Sequence, residues 1–200
     1  MKNNIKINFE KNFIFDEIRV YYDKNPIFKF GAYYGEVDKT GKILLAIKCD
    51  DLRSIDTEKF AICINDKWGI INRDKEWIIE PEYDDLDEAE DGFYIANKNG
   101  KFGIININND VITDFTYDSF ERICWGDSYS YAAGKNGKIG IINLNGRVIT
   151  PFIFKEIDIY GDDFGKARLN GKYGLINEEG KPLEIDIASL EEELLTYQYN

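Results

Sequence analysis

Trp68-Gly69-Ile70-Ile71-Asn72 has four counterparts along this chain. They are Tyr34-Gly35-Glu36-Val37-Asp38, Phe102-Gly103-Ile104-Ile105-Asn106, Ile139-Gly140-Ile141-Ile142-Asn143 and Tyr173-Gly174-Leu175-Ile176-Asn177. The glycines stand at 35, 69, 103, 140 and 174, so the steps are 34, 34, 37 and 34 residues. A fixed period in that range marks a repeat architecture, in which each repeat buries its apolar face only by stacking on its neighbour.

A second signature precedes each glycine, ending 17 residues before it in four of the five copies: Phe15-Asp16-Glu17-Ile18, Cys49-Asp50-Asp51-Leu52, Tyr83-Asp84-Asp85-Leu86, Tyr117-Asp118-Ser119-Phe120 and Phe154-Lys155-Glu156-Ile157. Between the two signatures the pattern predicts a hairpin. Asn99-Gly100, Asn136-Gly137 and Asn170-Gly171 suit a two-residue turn in which both residues need positive φ. A second turn follows each glycine strand, as in Asp38-Lys39-Thr40-Gly41 and Asn143-Leu144-Asn145-Gly146, with Asp or Asn first and a left-handed residue fourth. In the second copy Lys75 holds that fourth place, which predicts a strained turn over Asn72-Arg73-Asp74-Lys75.

Each repeat is therefore expected to be a three-stranded antiparallel meander. In the third copy its strands fall near Phe93–Ala96, Phe102–Asn106 and Val111–Thr113, with a short fourth segment at Phe115–Phe120. The glycine inside the middle strand predicts a bulge or the close passage of a neighbouring aromatic. The residue before it (Tyr34, Trp68, Phe102, Ile139, Tyr173) is expected to plug the core.

Lys67-Trp68-Gly69-Ile70-Ile71-Asn72 followed by Glu80-Pro81-Glu82-Tyr83-Asp84 resembles the bacterial WG (KWG) repeat. So does Lys138-Ile139-Gly140-Ile141-Ile142-Asn143 with Ile149-Thr150-Pro151-Phe152. The resemblance extends from about Phe9 to Pro182, although a single copy carries the literal Trp-Gly. It implies an all-β repeat scaffold and brings no catalytic residue set with it.

The whole chain, 1–200, reads as a single repeat domain. Phe13-Ile14-Phe15-Asp16-Glu17-Ile18 matches the strand exit Phe152-Ile153-Phe154-Lys155-Glu156-Ile157, whereas the last repeat lacks that exit. One reading is that the first segment supplies the missing strand and closes a five-bladed propeller-like ring. The favoured reading is an open curved solenoid with a C-terminal cap over 186–200. Ser189-Leu190-Glu191-Glu192 forms a capping box, and Leu190, Leu194 and Leu195 give a short helix an apolar face.

Composition narrows the chemistry. The 200 residues are 44% hydrophobic and 31% charged, and no apolar run nears the roughly 20 residues of a membrane helix. Met1 to Lys11 lacks the apolar core of a signal peptide. Cys49, Cys63 and Cys124 have no metal-binding or disulfide spacing, so reduced thiols and a cytoplasmic protein are expected. The net charge of −12 and a pI near 4.6 oppose nucleic-acid binding; they permit a basic partner, and they also serve solubility alone.

There is no histidine, which removes the commonest general base and the usual nucleophile and metal partners. No cofactor motif is present, and the Asn-Gly pairs sit in hairpin turns. The densest acidic run is Asp84, Asp85, Asp87, Glu88, Glu90 and Asp91, whose spacing matches neither a glycosidase pair nor a calcium loop. Lys67, Lys101, Lys138 and Lys172 and the acidic pairs are expected to line up as a surface charge ladder. The 37-residue step inserts three residues around Trp125, Asp127, Tyr129 and Tyr131, either a recognition loop or a lid folded on the core.

The leading expectation is a non-catalytic scaffold binding a protein or peptide through Trp125, Asp127, Tyr129 and Tyr131 and the acids Asp84, Asp85, Asp87 and Glu88. A basic partner such as a toxin would make it an immunity or inhibitor protein. A carbohydrate or cell-wall module is the alternative, since its tyrosines and tryptophans offer stacking platforms. A carboxylate-dependent hydrolase is the third class.

Overall fold

The computed structural model describes residues 14–21, 24–90, 92–125, 128–160, 164–177 and 179–184. They form five antiparallel sheets, and no helix occurs among them. The first holds β1 (Glu17–Arg19), β2 (Ile27–Phe30), β3 (Tyr33–Val37) and β4 (Ile43–Lys48). The second holds β5 (Asp51–Ser54), β6 (Lys59–Ile64), β7 (Lys67–Asn72) and β8 (Trp77–Tyr83). The third holds β9 (Asp85–Glu90), β10 (Phe93–Lys98), β11 (Lys101–Asn106) and β12 (Val111–Tyr117). The fourth holds β13 (Ser119–Trp125), β14 (Ser128–Lys135), β15 (Lys138–Asn143) and β16 (Val148–Phe154). The fifth holds β17 (Glu156–Tyr160), β18 (Phe164–Leu169) and β19 (Lys172–Asn177). In every sheet the strands lie side by side in chain order. The expected capping helix lies in 186–200, outside the described residues.

The chain divides into two compact units, Met1–Phe115 and Thr116–Asn200. In the first unit, Ile27, Tyr34 and Leu45 of the first sheet pack on Leu52, Phe60, Ile62 and Ile71 of the second. Ala61, Cys63, Trp68, Ile70 and Tyr83 of the second then pack on Leu86, Tyr94, Ala96 and Ile105 of the third. In the second unit, Ile141 and Phe154 pack on Ile157, Ala167 and Ile176. Within each unit the core therefore lies in layers between consecutive sheets. The Ile-Ile pair after each glycine follows from this, because successive strand residues point to opposite faces and both faces are covered. Ile70 and Ile71 are both fully buried.

Four sheets have one strand more than the three expected. The reason is a bend at Asp50, Asp84 and Asp118. Phe115 to Tyr117 end β12, while Ser119 and Phe120 start β13 in the next sheet. The acidic signature thus opens a new sheet, pairing with the hairpin that follows it. In four of the five signatures the first acid accepts a hydrogen bond from that hairpin's turn: Asp16 from Gly31 N–H (2.6 Å), Asp50 from Asn65 N–H (2.6 Å), Asp84 from Asn99 N–H (2.6 Å) and Asp118 from Asn136 N–H (2.8 Å). A buried or edge amide needs such a partner, and the carboxylate supplies it.

The second turn has one geometry in all five repeats. The N–H of Gly41, Lys75, Asn109, Gly146 and Gly180 reaches the carbonyl three residues back at 2.8–3.0 Å, and all five residues have φ between 66° and 86°. Lys75 adopts the left-handed form at φ 66°, so the turn keeps its shape and carries the strain in that residue.

The middle-strand glycines permit close approach. A Cβ on Gly69 would lie 2.4 Å from the Ile79 carbonyl oxygen; one on Gly140 would lie 2.9 Å from that of Thr150 and 3.0 Å from the Phe152 ring. Opposite Gly69 and Gly140 the ladder shifts register, the bulge that the glycine predicted. The plug residue is buried at Tyr34 (4% exposed) and Trp68 (7%), but Tyr173 is 57% exposed. Tyr34 and Trp68 face the following sheet, and among the described residues no sheet follows the fifth.

Candidate functional site: a cleft beside the acidic strand

The acidic run from Asp84 to Glu88 crosses from the end of β8 into β9. Asp84 is occupied twice. It caps the Asn99 turn, and its other oxygen pairs with Lys67. Those contacts hold its carboxyl below the ordinary range. Asp85 and Asp87 lie 3.1 and 2.8 Å from the Arg53 guanidinium of β5, in the preceding sheet. Arg19 of β1 is 2.6 Å from Asp51 in the same relation, and also 2.6 Å from Glu17. Of the expected lysine–acid ladder one rung is seen, Lys67–Asp84, and the other pairs between consecutive sheets are made by arginines. The arginine pairs were not legible in advance, because Arg19 and Arg53 recur in two repeats only.

Below these pairs the first unit contains a cleft of about 420 Å³. Ile55, Ala61 and Leu86 form an apolar floor that is continuous with the core. Arg53, Asp87 and Glu88 line its sides, and Tyr21 and Lys24 close it from the β1–β2 connection. The Lys24 ammonium donates to the carbonyl oxygens of Ser54, at 3.0 Å, and Ile55. The cleft thus joins an apolar base to a rim of both charges. Asp87 and Glu88 are both exposed, the Asp87 side chain by 67%. Two of the expected site acids therefore reach this cleft, while Asp84 and Asp85 are engaged in turn capping and ion pairing beside it. Tyr21, Lys24 and Arg53 were missed; a basic residue two positions after the acid pair was their only trace in the sequence.

Tyr94 shares the core cluster of Ile55, Ala61 and Leu86; it is fully buried, and its hydroxyl has no hydrogen-bond partner among the described residues. Burial, with Glu88 and Asp56 nearby, pushes its hydroxyl pKa up.

In the other expected site, the three inserted residues extend the β13–β14 ladder, which pairs from Ser119↔Gly134 out to Trp125↔Ser128. The insertion lengthens a hairpin rather than breaking the repeat. Tyr131 is 3% exposed and lies 5.9 Å from the Phe120 ring, so it packs inside the second unit. Asp127 lies outside the described residues, as do the side chains of Trp125 and Tyr129.

The described cysteines, Cys49 and Cys63, are free thiols. Burial, with Asp51 and Asp50 beside it, pushes the Cys49 thiol up to about 12, which makes it a poor nucleophile at neutral pH. Among the described residues no group of three or more Cys, Asp or Glu side chains converges as a metal site would. No helix among them is long and apolar enough to cross a membrane.

Similar folds occur among solved structures. Hsv2p of Kluyveromyces lactis matches with a TM-score of 0.51 at 11% identity, over 87% of this chain and 66% of that one. The WD40 domain of SCAP from fission yeast matches at 0.44 and 11%, over 84% and 54%. A protein of unknown function from Bacteroides caccae matches at 0.38 and 13%, over 85% and 81%. The chain thus spans less than two thirds of Hsv2p, and at this identity the likeness is one of fold. No curated protein matches the sequence. The WG containing repeat matches at residues 34–68, 68–102 and 139–173. These spans run from one plug residue to the next and each contains the second turn; the first two also contain the caps of Asp50 and Asp84, a place that Lys155 holds in the third. With more than half of its length matched in this way, the chain belongs to the family of WG-containing β-repeat proteins.

Proposed function

We propose that this protein is a non-catalytic scaffold whose cleft beside β9 docks a segment of a partner protein. The observation that carries this reading is the cleft itself, about 420 Å³, with an apolar floor and the exposed Asp87 and Glu88 on its rim. An apolar base with a few placed polar groups suits a peptide segment that buries one apolar side chain and sets a cation on the rim. The net charge of −12 steers a basic partner toward any face of the molecule, and a basic toxin is one protein of that chemistry. Stacked sheets hold their loops and edges in fixed positions, which is what a scaffold requires.

The test is affinity capture from the native cell with wild type, with Asp87→Lys/Glu88→Lys and with Trp125→Ala. The charge reversal is expected to lose the specific partner, whose purified form binds wild type less tightly as salt rises. A partner set and affinity untouched by the reversal would remove the cleft from the function.

A further inference from the structure

We infer that Asn170-Gly171, in the β18–β19 turn, is a modification site, where the asparagine converts spontaneously to aspartate and isoaspartate while the other Asn-Gly pairs of the folded chain are protected. The site lies in the second unit, and the inference does not rest on the cleft.

The chemistry needs no enzyme and no cofactor. The Gly171 amide nitrogen, once base has taken its proton, attacks the Asn170 Cγ. The carboxamide C–N bond breaks and ammonia leaves, closing a five-membered succinimide. Water opens that ring at either carbonyl, which leaves aspartate by one route and isoaspartate by the other. Each event adds one negative charge, and isoaspartate also adds a carbon to the backbone of the turn. A glycine after the asparagine favours the attack because it has no Cβ to obstruct it. Two things oppose it: an N–H held by an acceptor keeps its proton, and a tethered turn does not open into the attacking geometry.

The sequence has four Asn-Gly pairs: Asn99-Gly100, Asn136-Gly137, Asn145-Gly146 and Asn170-Gly171. The first three are restrained. The Asn99 N–H donates to Asp84 at 2.6 Å, and the Lys67 ammonium with the N–H groups of Asn99 and Gly100 holds that carboxyl below its ordinary range. The Asn136 N–H donates to Asp118 at 2.8 Å, and the Lys155 ammonium donates to the Gly137 carbonyl at 3.0 Å, so that turn is tied twice. The Gly146 N–H, the nucleophile of its own pair, donates to the Asn143 carbonyl at 2.9 Å.

The fourth pair has the same turn without the restraint. Asn170 and Gly171 stand at φ 52° and 83°, against 56° and 74° for Asn99 and Gly100. The backbone of the signature residue is in place as well: the Lys155 N–H donates to the Arg168 carbonyl at 2.8 Å, as Asp84 does to Asn97 and Asp118 to Gly134. Only the side chain differs. Where the other sheets bring a carboxylate to the turn, Lys155 brings a cation, and it reaches the preceding turn instead. Asn170 and Gly171 are exposed, and no described side chain accepts the Asn170 N–H. The pair therefore lacks both the acceptor that guards the amide proton and the tether that keeps the turn closed.

The test is peptide mapping by mass spectrometry of the full chain, aged in mildly alkaline buffer with and without urea. In the folded chain Asn170 is expected to react first, with isoaspartate accumulating there; methyl transfer from S-adenosylmethionine by a protein-isoaspartate methyltransferase counts it independently. In urea the four pairs should react at similar rates. Lys155→Asp should slow Asn170 in the folded chain by about tenfold, the equivalent of one pKa unit in the Gly171 amide. Asp84→Ala is the reciprocal change and should speed Asn99 by a like factor, with the sheets of both variants checked by circular dichroism. Asn170 reacting no faster than Asn99, Asn136 and Asn145 in the folded chain, or at a rate indifferent to Lys155→Asp, overturns the inference. The same order of rates in urea would assign it to the flanking residues and overturns it too.

Discussion

The Arg53 guanidinium lies 3.9 Å from the centre of the Trp68 ring. Asp85 and Asp87, on the first strand of the next sheet, hold it there. One repeat earlier Arg19 stands 5.5 Å over the Tyr34 ring and 2.6 Å from Asp51. The aromatic before the glycine, the arginine that covers it and the acid that tethers the arginine form one joint between consecutive sheets. The acidic pairs of this chain are in good part structural for that reason.

The joint predicts an energetic coupling between its two central residues. Arg53→Met and Trp68→Leu, singly and together, are expected to give a coupling of about 0.5–1 kcal/mol in a denaturation cycle, the worth of a half-exposed cation over an indole. Asp87→Asn alone should cost less, since the Asp87 carboxylate is largely solvated. Strict additivity of the two central substitutions would show that the guanidinium merely rests on the ring.

The carboxylates that cap and pair predict the acid limb of stability. Asp84 is held low by Lys67 and the Asn99 turn, and Glu82 by Lys98 (2.6 Å) and Asn109 (2.8 Å). A carboxylate whose folded pKa is depressed stabilises above its unfolded pKa and loses that contribution as pH falls through the folded value. Stability should therefore decline below about pH 4.5. Asp84→Asn should lower the urea midpoint at pH 7 and converge on wild type at a pH below the folded value of Asp84. A constant offset at both values would remove ionisation from the cap's role.

The period, the turns and the glycine close approach were legible in the sequence because each is local. Asn143 and Asn177 announce their turns by residue type alone, and their Oδ1 atoms accept the Arg147 and Lys181 N–H at 2.9 Å. The fourth segment was legible, but its division between two sheets was not. Whether Asp85-Leu86 pairs with the strand before or after it depends on a bend at Asp84 that has no dihedral signature in the residue names. The cleft was half legible: Asp87 and Glu88 belong to a visible acidic run, but Lys24 and Tyr21 come from a connection with no repeat counterpart. Beside the insertion, Tyr131 reads equally as part of a recognition loop or of a lid on the core; it repeats the buried place of Phe60 and Tyr94.

That same buried place predicts a stabilising substitution. Tyr94 is fully buried and its hydroxyl has no partner, whereas the second sheet carries Phe60 there, also fully buried. An unsatisfied buried hydroxyl costs about 1–3 kcal/mol. Tyr94→Phe is expected to raise stability by part of that amount, measured by chemical denaturation with an unchanged slope. A loss of stability would instead reveal a buried water held by the hydroxyl.

The first repeat departs from the others at Glu36, which occupies the place of Ile70, Ile104 and Ile141 and is 1% exposed. Its carboxylate lies 2.6 Å from the Arg73 guanidinium and accepts from the Asn25 amide at 3.2 Å. Arg73 comes from the strained turn of the second sheet and donates to the Thr57 carbonyl as well. The two partners are not equivalent. The Arg73 side chain is 28% exposed and retains water if Glu36 is removed, whereas Glu36 has no access to water if Arg73 is removed. Arg73→Met should therefore cost about 3–5 kcal/mol, the penalty of a buried charge left alone. Glu36→Ile restores the residue of the other repeats and should be far milder, and the double variant Glu36→Ile/Arg73→Met should recover most of the single arginine loss. Urea denaturation of the three variants measures this order. If Glu36→Ile proves as damaging as Arg73→Met, the ion pair itself, rather than the avoidance of a lone carboxylate, holds the first two sheets together.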